Sequence, residues 1–184
     1  MDIKAQVCFD QTGHSKPVAA APALWFSSGV SKNTVTIEQI KIACRQVDEL
    51  IAAGMTENLA IRNLELFANC YAKLRLVGNV SPDRPEQFRL WSKAALELRE
   101  NSTQPLTGRE LRCEHGTPRR QFARLVLQRS KVDALNEQWL NELCDQRWKV
   151  AVITCEEDQR LNKSARSTLS DRPEDRWASV GIEF

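Results

Sequence analysis

The sequence predicts a predominantly α fold with a small two-stranded β element, an α+β chain. A helical hairpin and a third helix come first, then a β-α-α-β-α C-terminal part. Three observations predict it. Apolar residues recur every three or four positions over most of the chain after residue 35, as on the buried stripe of a helix. Only residues 109–113 and 149–154 read as strands. Between these segments fall the breakers Gly54, Gly78, Pro82, Pro85, Gly116 and Pro118. A chain of 184 residues with 42% hydrophobic side chains is long enough to bury one core. The expected organisation is an irregular N-terminal tail over 1–34 and a single mainly helical domain over 35–184, with a subdomain boundary possible near 101–107.

Residues 1–34 hold no sustained period and carry Gly13, Pro17, Pro22 and Gly29. Trp25 and Phe26 are the large apolar side chains there, suited to anchoring the tail or meeting a protein partner. Thr36 and Gln39 have the spacing of a capping box, so a helix starts at residue 37. Ile37, Ile40, Val47, Leu50 and Ile51 form its stripe and Gly54 its left-handed stop. Thr56 caps a second helix, with Leu59, Ala60, Asn63, Phe67, Cys70, Tyr71 and Leu74 in repeat, and Gly78 ends it. So short a link makes the two an antiparallel hairpin. Glu65, Asn69 and Tyr71 on the second helix could line a cleft, but a single carboxylate and amide on a helix are read first as structural or solvated.

Ser81, Pro82 and Pro85 announce a third helix that buries Phe88, Trp91, Ala94, Ala95 and Leu98 and closes near Asn101. After a linker over 102–105, residues 109–113 alternate weakly as a strand. Thr117-Pro118 opens a helix with Phe122, Leu125 and Val126 inward and Arg119, Arg120, Arg124 and Arg129 outward. A further helix carries Leu135, Trp139, Leu140 and Leu143. The nearly continuous apolar run over 149–154 is the strand expected to be covered on both faces, paired with 109–113. Thr154 and Glu157 form another capping box, with Glu156, Glu157 and Asp158 at the positive end of the helix dipole. One last helical turn follows Pro173, docked by Trp177 and Ile182.

The formal net charge of +2 implies no polyanionic partner by itself. No apolar run approaches the roughly 20 residues of a membrane-spanning helix and no signal core opens the chain, so a cytoplasmic protein with no membrane contact is expected. The six cysteines lack CxxC or CxxH spacing and read as buried free thiols, without a structural zinc.

Charge clusters in one place. Residues 107–131 contain seven basic side chains (Arg109, Arg112, Arg119, Arg120, Arg124, Arg129 and Lys131) against Glu110 and Glu114. The leading functional reading is therefore a non-catalytic binding module without a cofactor. Its basic helix face, residues 118–129, meets nucleic acid or an acidic protein, with Arg112, Arg119, Arg120, Arg124 and Arg129 as contacts. A purely structural or protein-interaction role, centred on Trp25 and Phe26, is the other non-enzymatic class.

Glu114-His115-Gly116-Thr117-Pro118, the segment from Val152 through Asp158 to Leu161, and the segment from Ala60 to Phe67 together resemble a family of bacterial proteins with no assigned function. Glu114-His115 at a strand end, a second strand and a following helix also resemble HNH nucleases locally. That resemblance implies a divalent metal held by Glu114 and Asp158, His115 as the base for an attacking water, and Arg119 and Arg120 on the phosphates. This sequence departs from the motif in placing two helices between the strands and in lacking a second histidine after His115. The plainer reading of Glu114-His115 is structural: His115 caps the turn and Glu114 pairs with Arg112 or Arg119. The separation of Arg109 and His115 matches the ribonuclease motif of HEPN domains, but that motif belongs inside a helix, and Gly116 and Pro118 oppose one there.

Overall fold

The computed structural model describes residues 34–184, and the expectations for the tail, including Trp25, Phe26 and Cys8, lie outside the described residues. Helices dominate around a three-stranded sheet, as the α+β class requires. One compact unit runs over Lys32–Phe184.

Helix α1 (Ile37–Ala52) begins on the capping box, with both Thr36–Gln39 hydrogen bonds formed. Gly54 adopts φ 91° and turns the chain into the hairpin. The return arm is broken: α2 (Glu57–Ala60) and α3 (Arg62–Val77) are separated at Ile61, and Thr56 makes no side-chain cap. The break shifts the buried stripe away from the expected one. Ala60, Ile61, Leu64, Ala68 and Ala72 are buried, whereas Leu59 is 59% exposed. Asn69 and Tyr71 are structural, accepting from the Trp148 indole at 3.1 Å and donating to Asn141 at 2.8 Å.

The expected third helix, from Pro82 to about Asn101, is three pieces. Pro85–Gln87 is a single 3-10 turn, Leu90–Trp91 is a strand (β1), and α4 (Lys93–Asn101) starts only at Ser92. Ser92 caps α4 by accepting from the Ala95 amide and donates to Glu157 at 2.6 Å. The sheet outcompetes helix propensity here because β1 completes the free edge of the central strand.

Strand β2 (Leu111–His115) sits two residues later than 109–113, whereas β3 (Val150–Thr154) starts one residue inside the expected run. Their order is β1-β3-β2, with β1 parallel and β2 antiparallel to β3, so the sheet has one strand more than the sequence suggested. Helices α5 (Arg119–Lys131) and α6 (Glu137–Arg147) connect β2 to β3, and α7 (Cys155–Ser164) and α8 (Pro173–Ala178) follow.

Pleating sorts everything that bears on the site. Directly opposed residues of an antiparallel pair point to the same face, and successive residues to opposite faces. Leu111, Val150 and Val152 join the larger core with α1, α3, α5 and α6. Ala151 and Ile153 join Leu161, Ala165, Trp177 and Ile182 on the face covered by α7 and α8. His115, opposite Val150, belongs to the first face, and Glu114, opposite Ala151, to the second.

Of the described cysteines, Cys44 and Cys144 are buried and Cys70, Cys113 and Cys155 half-buried, all as free thiols. Burial pushes the Cys113 thiol up to about 11 and that of Cys144 to about 12, which makes both inert at neutral pH.

Candidate functional site: an arginine cleft

A concavity of about 800 Å³ opens where the end of β2 meets α2, α3, α5 and the chain after α7. Five arginines line it: Arg62 from α3, Arg119, Arg120 and Arg124 from α5, and Arg166 beyond α7. Glu65 and Glu114 are its only carboxylates among the described residues, and Asn58, Gln121, Asn162 and Ser167 supply neutral polar groups. The size falls within the ~300–1,000 Å³ of ligand pockets, but the lining is far more polar and cationic than an ordinary small-molecule site.

The fold brings these side chains together from α2, α3, β2, α5, α7 and the chain beyond α7. Helix α5 buries Phe122, Ala123, Val126 and Leu127, which turns Arg119, Arg120 and Arg124 towards the hairpin. Arg120 Nε lies 3.3 Å from Glu65 Oε2, and Arg119 Nε lies 3.9 Å from Oε1 of the same carboxylate. Arg124 donates to Glu57 at 2.8 Å and to Asn58 at 3.0 Å. Arg62 and Arg166 are exposed and make no ion pair among the described residues. Across the opening, Gln121 donates to the Ser167 carbonyl at 2.9 Å and ties α5 to the opposite wall.

Two of the five arginines expected to act together do not reach the cleft. Arg129 donates to the Ala134 carbonyl at 3.0 Å and lies over the Trp139 ring. Arg112 is exposed on β2 and donates to the Leu111 carbonyl. The face over 118–129 is thus not cationic throughout. Its first half shares carboxylates with α2 and α3, and its end is folded onto α6. Conversely, Arg62, Arg166 and Glu65 were not singled out as site residues by their sequence context. The one available signal for Glu65 was its position on a helix beside a hairpin.

Glu114 and His115 follow different partners from those expected. Glu114 accepts from Arg176 at 2.8 Å, and the same guanidinium group, 1% exposed, also donates to the carbonyls of His115, Ala165 and Arg166. Neither Arg112 nor Arg119 pairs with Glu114. The His115 imidazole does not cap a turn. Its Nε2 lies 3.5 Å from Asp83 Oδ2 and its ring meets Trp148 edge-on. Asp83 also accepts from the buried Lys73 ammonium. The His115 hydrogen bond, with help from Lys73 and against burial, holds the Asp83 carboxyl well below its usual range, at about 2.

β2, β3 and α7 do occur in the strand–strand–helix order of HNH nucleases, and α7 lies back along the sheet. Pleating nevertheless puts the His115 side chain on the face opposite α7, and Asp158 is not among the residues lining the cleft. Asn162, one turn further along, is. Glu114 and His115 both border the cleft but Asp158 does not, so the three are not gathered into one site. No group of three His, Cys, Asp or Glu side chains suited to a metal occurs among the described residues.

Compared with protein-family models, with curated proteins and with solved structures, the chain gives no match. No helix among the described residues is long and apolar enough to cross a membrane.

Proposed function

We propose that the protein is a non-catalytic binding module and that its arginine cleft takes nucleic acid. The observation that carries this reading is the convergence of five guanidinium groups from three separate segments on one concave surface holding only two carboxylates among the described residues. Planar guanidinium forks match phosphate oxygens in pairs, and a concave wall concentrates their field where a flat basic patch would not. Asn58, Gln121, Asn162 and Ser167 add hydrogen-bond donors suited to sugar and phosphate oxygens.

Titrating wild type and the triple variant Arg119→Ala/Arg120→Ala/Arg124→Ala with duplex and single-stranded oligonucleotides over a salt series tests the reading. The expected result is binding whose logarithm falls linearly with log salt, weaker and with a shallower slope in the variant. Binding that ignores salt, or a variant that binds as wild type does, overturns it. An acidic protein partner is the competing use of the same charge; its mark would be an absence of oligonucleotide binding in a correctly folded protein.

A further inference from the structure

The cleft's cations fall into two kinds. Arg119, Arg120 and Arg124 already face carboxylates or amides of α2 and α3, whereas Arg62, on α3, and Arg166, in the chain beyond α7, make no ion pair among the described residues. Glu65 is 15% exposed and presents its two oxygens to Arg119 and Arg120 at 3.9 and 3.3 Å. Those separations exceed the ~2.7–2.9 Å of a good charge-assisted hydrogen bond. The carboxylate therefore sits between the two guanidinium groups without saturating either, in the manner of a phosphate's two free oxygens. Among the described residues no Phe, Tyr or Trp lines the cleft, and the His115 ring at its floor is buried edge-on against Trp148.

Each of these features narrows the ligand. A half-open concavity of about 800 Å³ takes a segment of one strand. A duplex, whose two backbones stand ~6–12 Å apart across its grooves, does not enter it whole. With His115 buried against Trp148 and no Phe, Tyr or Trp among the described lining residues, recognition rests on sugar and phosphate rather than on base stacking. We infer that the cleft clamps the sugar-phosphate backbone of a single strand between Arg62 and Arg166, and that Glu65 occupies the phosphate's place on Arg119 and Arg120 until the strand arrives. Glu65 is then a competitor built into the site: it keeps the two arginines extended towards the cleft and subtracts from affinity for every ligand that must displace it.

This inference rests on the nucleic-acid reading above, and the experiment separates the two. Fluorescence anisotropy of labelled 12-mers of dT, dA and mixed sequence, and of the matching duplex, is measured over a salt series. The proteins are wild type, Arg62→Ala, Arg166→Ala, Glu65→Gln and the off-cleft control Arg112→Ala, with thermal melts to verify folding. The expected results are single strand preferred over duplex and affinities alike across base compositions. Arg62→Ala and Arg166→Ala should each weaken binding several-fold and flatten the log–log salt slope by about 0.7, one single-strand phosphate apiece. Glu65→Gln should bind several-fold tighter than wild type, and Arg112→Ala should be unchanged. Folded Arg62→Ala and Arg166→Ala proteins with the wild-type slope overturn the clamp, as does a preference for duplex. A folded Glu65→Gln that binds no tighter overturns the role of Glu65. In those cases salt-dependent binding lost in the Arg119/Arg120/Arg124 variant leaves the broader reading standing, whereas no binding of any oligonucleotide removes both.

Discussion

Replacing Arg176 should destabilise the fold more than any other single polar substitution in the C-terminal half. The side chain is 1% exposed and its guanidinium group donates to four acceptors: Glu114 Oε1 at 2.8 Å and the carbonyls of His115 at 2.7 Å, Ala165 at 2.8 Å and Arg166 at 3.2 Å. It joins α8, the end of β2 and the chain leaving α7. Arg176→Ala leaves a carboxylate and three carbonyls without their donor and opens a void beneath α8. Removing one partner of a buried pair costs roughly 3–5 kcal/mol, and Glu114, at 24% side-chain exposure, recovers some water contact, so the lower half of that range applies. For a domain of this size that corresponds to a fall in Tm of roughly 6–16 °C. Equilibrium urea unfolding of wild type, Arg176→Ala, Glu114→Gln and the double variant measures it. The expected Glu114–Arg176 coupling is about 1–3 kcal/mol, with Arg176→Ala costing more than Glu114→Gln because three of the four acceptors are main-chain. A loss below about 1 kcal/mol for Arg176→Ala, with unchanged m-value, would refute the reasoning. The same substitution releases the Arg166 carbonyl and so should also loosen one wall of the cleft.

Three further outcomes follow from local geometry. Because the Asp83 carboxyl is held at about 2 in the folded protein, below its ordinary 3.8, its contribution is fully present above about pH 4 and is lost as pH falls from there towards 2. Asp83→Asn should therefore remove up to ~2 kcal/mol at pH 6 and flatten the acid limb of a stability–pH profile; an unaltered acid limb contradicts this. A Cβ at Gly116 would stand 2.5 Å from Pro173 Cβ and 3.0 Å from the Trp177 ring, so Gly116→Ala should cost about 1–3 kcal/mol in a thermal or urea melt, and a neutral result would mean α8 is free to shift. Thr154→Ala removes a formed capping box and should cost about 1 kcal/mol, whereas Thr56→Ala, where no cap bond forms, should stay within about 0.5 kcal/mol; equal losses at both sites would contradict the assignment.

What the sequence determined by itself is local. Thr36 with Gln39 and Thr154 with Glu157 mark helix starts because the hydrogen bonds they make close within three residues. Gly54 and Gly78 mark stops because their left-handed backbone is set by the residue type. The apolar run of β3 identifies a central strand because both of its faces must leave water. Tertiary structure decided whatever depends on a partner distant in the chain. Leu90–Trp91 is strand rather than helix only because Ala151 and Val152 offer a free edge. The break at Ile61 turns Leu59 outward, although helical periodicity alone placed it inside. Arg120 meets Glu65 across 55 residues and Arg176 meets Glu114 across 62. One-residue alternation in β2 sends the side chains of Glu114 and His115 to opposite faces, so although both residues border the cleft they have different partners, Arg176 and Asp83. Which arginines face an open cleft and which are folded against a carbonyl or a ring is likewise fixed by the packing of α5 on α3. An arginine's charge is written in the sequence, but whether that charge is already matched is a property of the assembled surfaces.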